Sequence, residues 1–220
     1  MGIQCLIYLD PLSSAVIKSG APFNSIMAEN PAQNPSTDSL FEAPLRIRIY
    51  GEPVLRQTAV PISEVTDEDR QLAGDMLATM YTRSNGIGLA ATQVGILKRL
   101  IVIDVNRQDL DSKPLVLINP EIQDGSGDTT MEERCLSLPD ITGEVTRPES
   151  VTVTALDLDG EPLRIQATAM LSRVIQHEVD HLNGILFIDL VHPLSRKSLQ
   201  RKLRRLQRQS RQFKSENGPH

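Results

Sequence analysis

Two histidines stand four residues apart in the stretch His177-Glu178-Val179-Asp180-His181. In a helix that spacing puts both side chains on one face. Two imidazoles so placed can hold one tetrahedral cation, with Glu178 coming round beside a water on the metal. A bound cation lowers the pKa of water from about 15.7 to roughly 7, and a neighbouring carboxylate can take that proton and later return it to a leaving amine. The residues around the pair are largely apolar, and buried charge is costly unless a metal or a partner answers it. This stretch therefore reads as the core of a metal-dependent hydrolase.

A metal site needs at least one further ligand. A metzincin places a third histidine six residues after His181, where this chain has Phe187. A thermolysin-like enzyme uses a glutamate about twenty residues downstream, and no glutamate occurs between His181 and Glu216. A zincin-like metallopeptidase thus stays an alternative without its third ligand. The remaining soft donor in the ordered region is Cys135, whose thiolate would bind iron, zinc, cobalt or nickel. Its other reading is that of a small buried hydrophobe.

The elements that would position these groups follow from the pattern of the chain. Leu45-Arg46-Ile47-Arg48-Ile49 alternates as a half-buried strand does. Thr66 followed by Asp67, Glu68 and Asp69 is a helix start, and Leu72, Met76, Leu77 and Met80 give an apolar face as far as Tyr81. Leu100–Val105 and Leu115–Pro120 read as buried strands, and Val151–Asp157 with Leu163–Ala167 as a hairpin turning at Asp159-Gly160. Residues 168–182 change to a helical period, with Met170, Leu171, Val174, Ile175, Val179 and Leu182 on the inner side and Gly184 at the stop. After Pro193, Leu199, Leu203 and Leu206 recur as on an amphipathic helix. Strands followed by a central helix imply an α+β fold, with antiparallel or mixed sheets packed around the metal-binding helix and a C-terminal amphipathic helix beyond it.

The chain of 220 residues suits one catalytic domain with tails. Residues 1–44, punctuated by Pro22, Pro31, Pro35 and Pro44, read as a poorly ordered extension, 45–194 as the catalytic domain and 195–220 as a basic helix and tail. The net charge of -5 conceals that division: residues 195–214 carry nine Arg and Lys and no acid, leaving -14 for the rest. Cys5 and Cys135 supply no disulfide framework, which points to a reducing compartment. No apolar run is long enough to cross a bilayer. The first 30 residues lack a secretory pattern and contain Asp10 and Glu29 but no Arg, which speaks against a transit peptide. A bacterial cytoplasm is the expected location, with a plastid or mitochondrion as the alternative. Neither a membrane nor DNA is an expected partner.

Three segments in order resemble the peptide deformylase family, of the bacterial and organellar type 1 kind, over about residues 45 to 210. They are Gly86-Ile87-Gly88-Leu89-Ala90-Ala91-Thr92-Gln93, then Glu133-Arg134-Cys135-Leu136-Ser137, then Gln176-His177-Glu178-Val179-Asp180-His181. The resemblance implies removal of the formyl group from the initiator methionine of nascent N-formylmethionyl polypeptides. Cys135, His177 and His181 would then be the metal ligands, and Glu178 the general base and acid. Gln93 and the backbone N–H of Leu136 would stabilise the oxyanion. The metal would be one divalent ion, Fe2+ first, with Zn2+, Ni2+ or Co2+ able to replace it. Ile87, Gly88, Met131, Leu171 and Val174 would contact substrate, which adds as a strand at Ile87–Gly88 where a glycine allows close approach.

The family usually carries glycine before the ligand cysteine, and here Arg134 stands there. Arg134 would either strain the backbone or lean over the cleft and touch substrate. The basic tail resembles the helix by which some deformylases dock on the ribosome, through contacts that salt would weaken. A third class, an RNA- or ribosome-associated protein with a degenerate metal site, would be favoured by loss of Cys135, His177, His181 or Glu178, and all four are present.

Overall fold

The run Leu100-Ile101-Val102-Ile103 lacks polar alternation because both of its faces are covered, as a computed structural model that describes residues 43–109 and 111–217 makes plain. Strands β1 (Gly88–Ala90), β2 (Leu100–Ile103), β3 (Leu115–Ser126), β6 (Ser150–Leu156) and β7 (Pro162–Thr168) form one antiparallel sheet in the order β1-β2-β3-β6-β7. Strands β4 (Thr129–Arg134) and β5 (Thr142–Arg147) form a separate hairpin, in which Arg134 faces Thr142. Side chains of Ile101 and Ile103 join one core with Leu171, Val174, Ile175 and Leu182 of helix α2 (Ala169–Leu182). Leu100 and Val102 join the other, with Leu72, Met76, Leu77 and Met80 of helix α1 (Asp67–Tyr81). The sheet is thus the middle of three layers, and the α+β expectation holds.

Helix α1 starts where its sequence requires. Thr66 and Asp69 exchange side-chain and backbone hydrogen bonds in a capping box, which satisfies two otherwise orphaned N–H groups. The hairpin at Asp159-Gly160 also forms, with Gly160 at φ +82. Helix α2 follows β7 without a loop. The chain turns through Ala169 at φ +51, a conformation costing a non-glycine residue about 1–2 kcal/mol. Gly184, at φ +73, follows the end of that helix. Among the described residues no helix is long and apolar enough to cross a membrane.

Three expectations need correction or restriction. Leu45–Ile49 is not a strand. Its backbone N–H groups go to unrelated acceptors instead of a ladder: Leu45 to Thr79 Oγ1, Arg48 to Gln93 O and Ile49 to Glu52 Oε1. Met170 is exposed and not part of the inner face of α2, because the helix begins at Ala169 and its first turn has nothing packed over it on that side. The extension expected over residues 1–44 lies outside the described residues up to residue 42.

A third apolar cluster closes the other end of the molecule. Leu138, Ile141 and Val145 meet Phe187 and Ile188 of α3 (Phe187–Leu190), and Leu203 and Leu206 of α4 (Pro193–Asn217). The basic helix therefore begins before residue 195 and buries its apolar stripe against the body.

Candidate metal centre

Helix α2 presents His177 and His181 on one side, and Cys135 approaches them from the turn that follows β4. Among the described residues these three form the one group whose potential ligand atoms converge, all within 4.8 Å of one another. Cys135 Sγ lies 3.1 Å from His181 Nε2. The carboxylate of Glu133 lies 2.9 Å from His177 Nδ1. A carboxylate can only accept, so Nδ1 carries the hydrogen and Nε2 is left bare for a metal. His181 Nδ1 is buried with no partner among the described residues. Thiolate and imidazole are the donors that iron, zinc, nickel and cobalt share. The residues fit one such ion.

The electrostatics agree. Burial works against a proton on His177, yet hydrogen bonding to Cys135 and Glu133 holds its pKa well above the ordinary value. Burial and the neighbouring His177 hold His181 well below. Burial also pushes the Glu178 carboxyl up to about 7, with partial relief from His177. Its Oε2 atom is buried without a hydrogen-bond partner among the described residues.

Gly88 explains how β1 runs past that carboxylate. A Cβ there would come within 2.5 Å of Glu178 Oε1 and 2.7 Å of Val174 Cγ1. Any larger residue would have to displace the Glu178 or Val174 side chain. Beyond it β1 is the edge of the sheet, paired to β2 alone, so one side of the strand is open.

Gln93 is buried and its amide has a fixed orientation. Oε1 accepts from Ala90 N at 2.7 Å, which turns Nε2 towards Ser137 Oγ at 3.3 Å and Cys135 Sγ at 3.5 Å. The Leu136 N–H enters no hydrogen bond among the described residues. Both donors expected for an oxyanion therefore flank Cys135.

The remaining expected positions spread out. Ile87 packs partly buried against the α2 core, and Leu171 and Val174 are buried within it. Met131, on β4, is 41 % exposed. Arg134 does not have a left-handed backbone; it is the last residue of β4, and its guanidinium pairs with Glu132 at 3.1 Å. Since neighbours in a strand point to opposite faces, Arg134 and Glu132 turn away from the side on which Glu133 meets His177.

The network behind His177 was not visible in the sequence. Arg147 grips Glu133 and Asp180, and Arg173 adds a third donor to Glu133. One signal was present: Arg173 sits four residues before His177, beside Val174 and Ile175, where a charge needs a partner.

Comparison with known proteins agrees with this geometry. A family model of polypeptide deformylases matches residues 44–197. A peptide deformylase of Thermodesulfovibrio yellowstonii is 47% identical over 160 residues, which cover 73% of this chain and 96% of that relative. The crystal structure of a peptide deformylase from Synechococcus elongatus in complex with actinonin shares 47% identity at a TM-score of 0.71, over 74% of this chain and 90% of that one. The peptide deformylase from Legionella pneumophila shares 38% identity at a TM-score of 0.69, over 80% and 99%.

Proposed function

The chain belongs to the polypeptide deformylase family and is a hydrolase that removes the N-formyl group from nascent peptides, and we propose that Glu178 is its general base and acid beside one ferrous ion held by Cys135, His177 and His181. The observation that carries this reading is the buried, unpartnered Oε2 of Glu178, one residue along from a ligand set that converges within 4.8 Å. When bound, the cation supplies a water activated near neutral pH and draws charge from the formyl carbonyl. Glu178 Oε2 takes the proton of the attacking water and passes it to the departing amine nitrogen. A buried carboxyl suits both halves of that exchange better than an exposed one.

Gln93 Nε2 and the Leu136 N–H donate to the formyl oxygen as it gains charge, a contribution of about 3–4 kcal/mol per donor. The peptide backbone runs along the open edge of β1 at Ile87–Gly88. Ile87, Met131, Leu171 and Val174 offer apolar surface to the methionine side chain. Met170 joins them, because it is exposed and shares with Val174 and Glu178 the four-residue stripe of α2. Arg134, turned to the opposite face, acts on substrate through its backbone alone.

Iron(II) is the metal we favour, with Zn2+, Ni2+ or Co2+ able to replace it; a thiolate ligand makes the loaded enzyme sensitive to air. Residues 45–194 form the catalytic body. The place of action we propose is the bacterial cytoplasm, in keeping with bacterial relatives. The exposed Arg201, Arg205 and Arg208 of α4 support docking on ribosomal RNA. The deciding experiment is Glu178→Gln in anaerobically purified protein. Metal content should stay near one ion per chain, while kcat on formyl-Met-Ala-Ser falls by about 10²–10⁴-fold. A variant with metal and full activity would remove Glu178 from the mechanism.

A further inference from the structure

Behind His177 lies a buried cluster that touches neither substrate nor reacting water. Glu133 Oε1 accepts from Arg147 Nε at 2.6 Å and Arg173 Nη1 at 2.7 Å, while Oε2, which meets His177, also accepts from Arg147 Nη2 at 3.1 Å. Arg147 also reaches Asp180 at 2.7 Å. Two guanidinium groups thus balance two carboxylates, and the charge requirement alone accounts for both arginines. It does not account for where Arg173 goes next. The same guanidinium donates to Val145 O at 3.1 Å, Thr129 O at 2.7 Å and Thr129 Oγ1 at 3.0 Å. One side chain of α2 therefore holds the first residue of β4, the middle of β5 and the carboxylate between them.

That hairpin is the carrier of Cys135. It leaves the five-stranded sheet and pairs only with itself, so the sheet does not fix its distance from α2. The two histidines ride on α2 and the thiolate on the end of β4, and the ligand atoms meet only if the two elements keep their spacing. We propose that Arg173 is a positioning residue of the metal centre: by clamping the β4–β5 hairpin and Glu133 to α2, it holds Cys135 and His177 at one point. A planar guanidinium with several donors can reach Glu133, Val145 and Thr129 at once; an ammonium cannot. Outer partners of metal ligands commonly change metal affinity by 10–100-fold.

The inference rests on the metal reading of Cys135, His177 and His181, and its test separates the two. The full-length chain is loaded with Co2+, whose absorption reports thiolate and imidazole ligation. Were the metal reading wrong, the parent chain itself would fail to hold one Co2+. If it is right, Arg173→Met, which keeps the volume of the side chain and removes its donors, should lower Co2+ affinity in chelator competition by 10–100-fold. It should also shift the Co2+ absorption bands at saturating metal and reduce kcat while KM stays within about twofold. Arg173→Lys, which keeps the charge and the fold, should recover less than half of the lost affinity on a logarithmic scale. The losses of Arg173→Met and Glu133→Gln should not add, because one acts through the other. Additive losses, or an Arg173→Lys protein with the parent's affinity and spectrum, would overturn the proposal.

Discussion

Arginine serves this chain in two opposite ways. Behind the metal centre, Arg147 and Arg173 are about 95 % buried, and among the described residues their guanidinium groups donate to Glu133, Asp180, Thr129 and Val145. On α4, Arg201, Arg205 and Arg208 stand exposed on one side of a helix whose other side buries Leu203 and Leu206. The two buried arginines hold the carboxylate of Glu133, which meets His177 Nδ1. The exposed ones set the field that the molecule offers to a partner. Counting charges along the sequence finds the second group and misses the first, because only the fold brings Glu133, fourteen residues before Arg147, onto the same point as His177.

The contrast would break first at Arg147. Arg147→Ala leaves Glu133 with one guanidinium fewer and Asp180 with none of its own. Stripping one partner from a buried ionic cluster costs about 3–5 kcal/mol. Urea unfolding of the metal-free chain should report a loss of that size. A loss below about 1 kcal/mol would place Arg147 with the surface group, whatever its burial.

Between the two extremes lies Asp69 on α1, a buried carboxylate whose cationic partner is partly in water. Lys98 Nζ approaches it at 2.6 Å and is 37% exposed, and the same carboxylate closes the Thr66 capping box. Burial pushes the Asp69 pKa up, but hydrogen bonds from Lys98 and Thr66 outweigh it and hold the carboxyl below its ordinary value. A folded pKa below the unfolded one means that the stabilisation is complete above the unfolded carboxylate range, near pH 4. It is lost as pH falls through the lower folded value. Asp69→Asn should therefore cost about 1 kcal/mol at pH 7, chiefly through the cap, and the gap to the parent should narrow at pH 3. A gap equal at both pH values would assign the loss to packing rather than charge.

The legibility of the sequence divides along the same line. Local rules worked: the Thr66–Asp69 cap, the two-sided burial of Leu100–Ile103 and the turn at Asp159-Gly160 all follow from neighbours in the chain. Residue type alone made His177 and His181 candidate ligands and left Cys135 open between soft donor and buried hydrophobe; the resemblance to peptide deformylases implied the full set, and the three side chains converge in the fold. Leu45–Ile49 failed as a strand because its backbone partners, Thr79, Gln93 and Glu52, come from separate parts of the chain that no alternation encodes. Met170 failed as an inner residue because the buried side of the first turn of α2 is taken by Leu171, about 100° round the helix from it. Arg173 was passed over because a single charge in an apolar helix declares that it needs partners but not which ones.

The exposed arginines supply the next test. Changing Arg201, Arg205 and Arg208 together to Gln should change the free energy of urea unfolding by no more than about 0.5 kcal/mol and leave turnover of formyl-Met-Ala-Ser unaltered. Cosedimentation with ribosomes should weaken, and its dependence on salt should become shallower. This triple change is cleaner than ending the chain at Ser195, which would also remove Leu203 and Leu206 from their apolar cluster. Unchanged cosedimentation would leave α4 as a packing helix with a solvated face.

The smallest effect is expected at Arg134, where the family's usual glycine is absent. Were the glycine needed for its backbone, Arg134 would sit at positive φ; it does not, and it keeps its place opposite Thr142 at the end of β4. Were its side chain a lid on the cleft, it would share the face of Glu133; it lies on the other, 67% exposed and paired with Glu132, itself 54% exposed. An ion pair so open to water contributes little that can be measured. Arg134→Gly removes side-chain atoms that touch nothing in the site and adds backbone freedom to a strand end, which costs about 0.5–1 kcal/mol. Deformylation of formyl-Met-Ala-Ser should keep its kcat and KM within about twofold. A larger change in KM alone would show that the open arginine meets the peptide after all, and the division between buried and exposed arginines would then need a third kind.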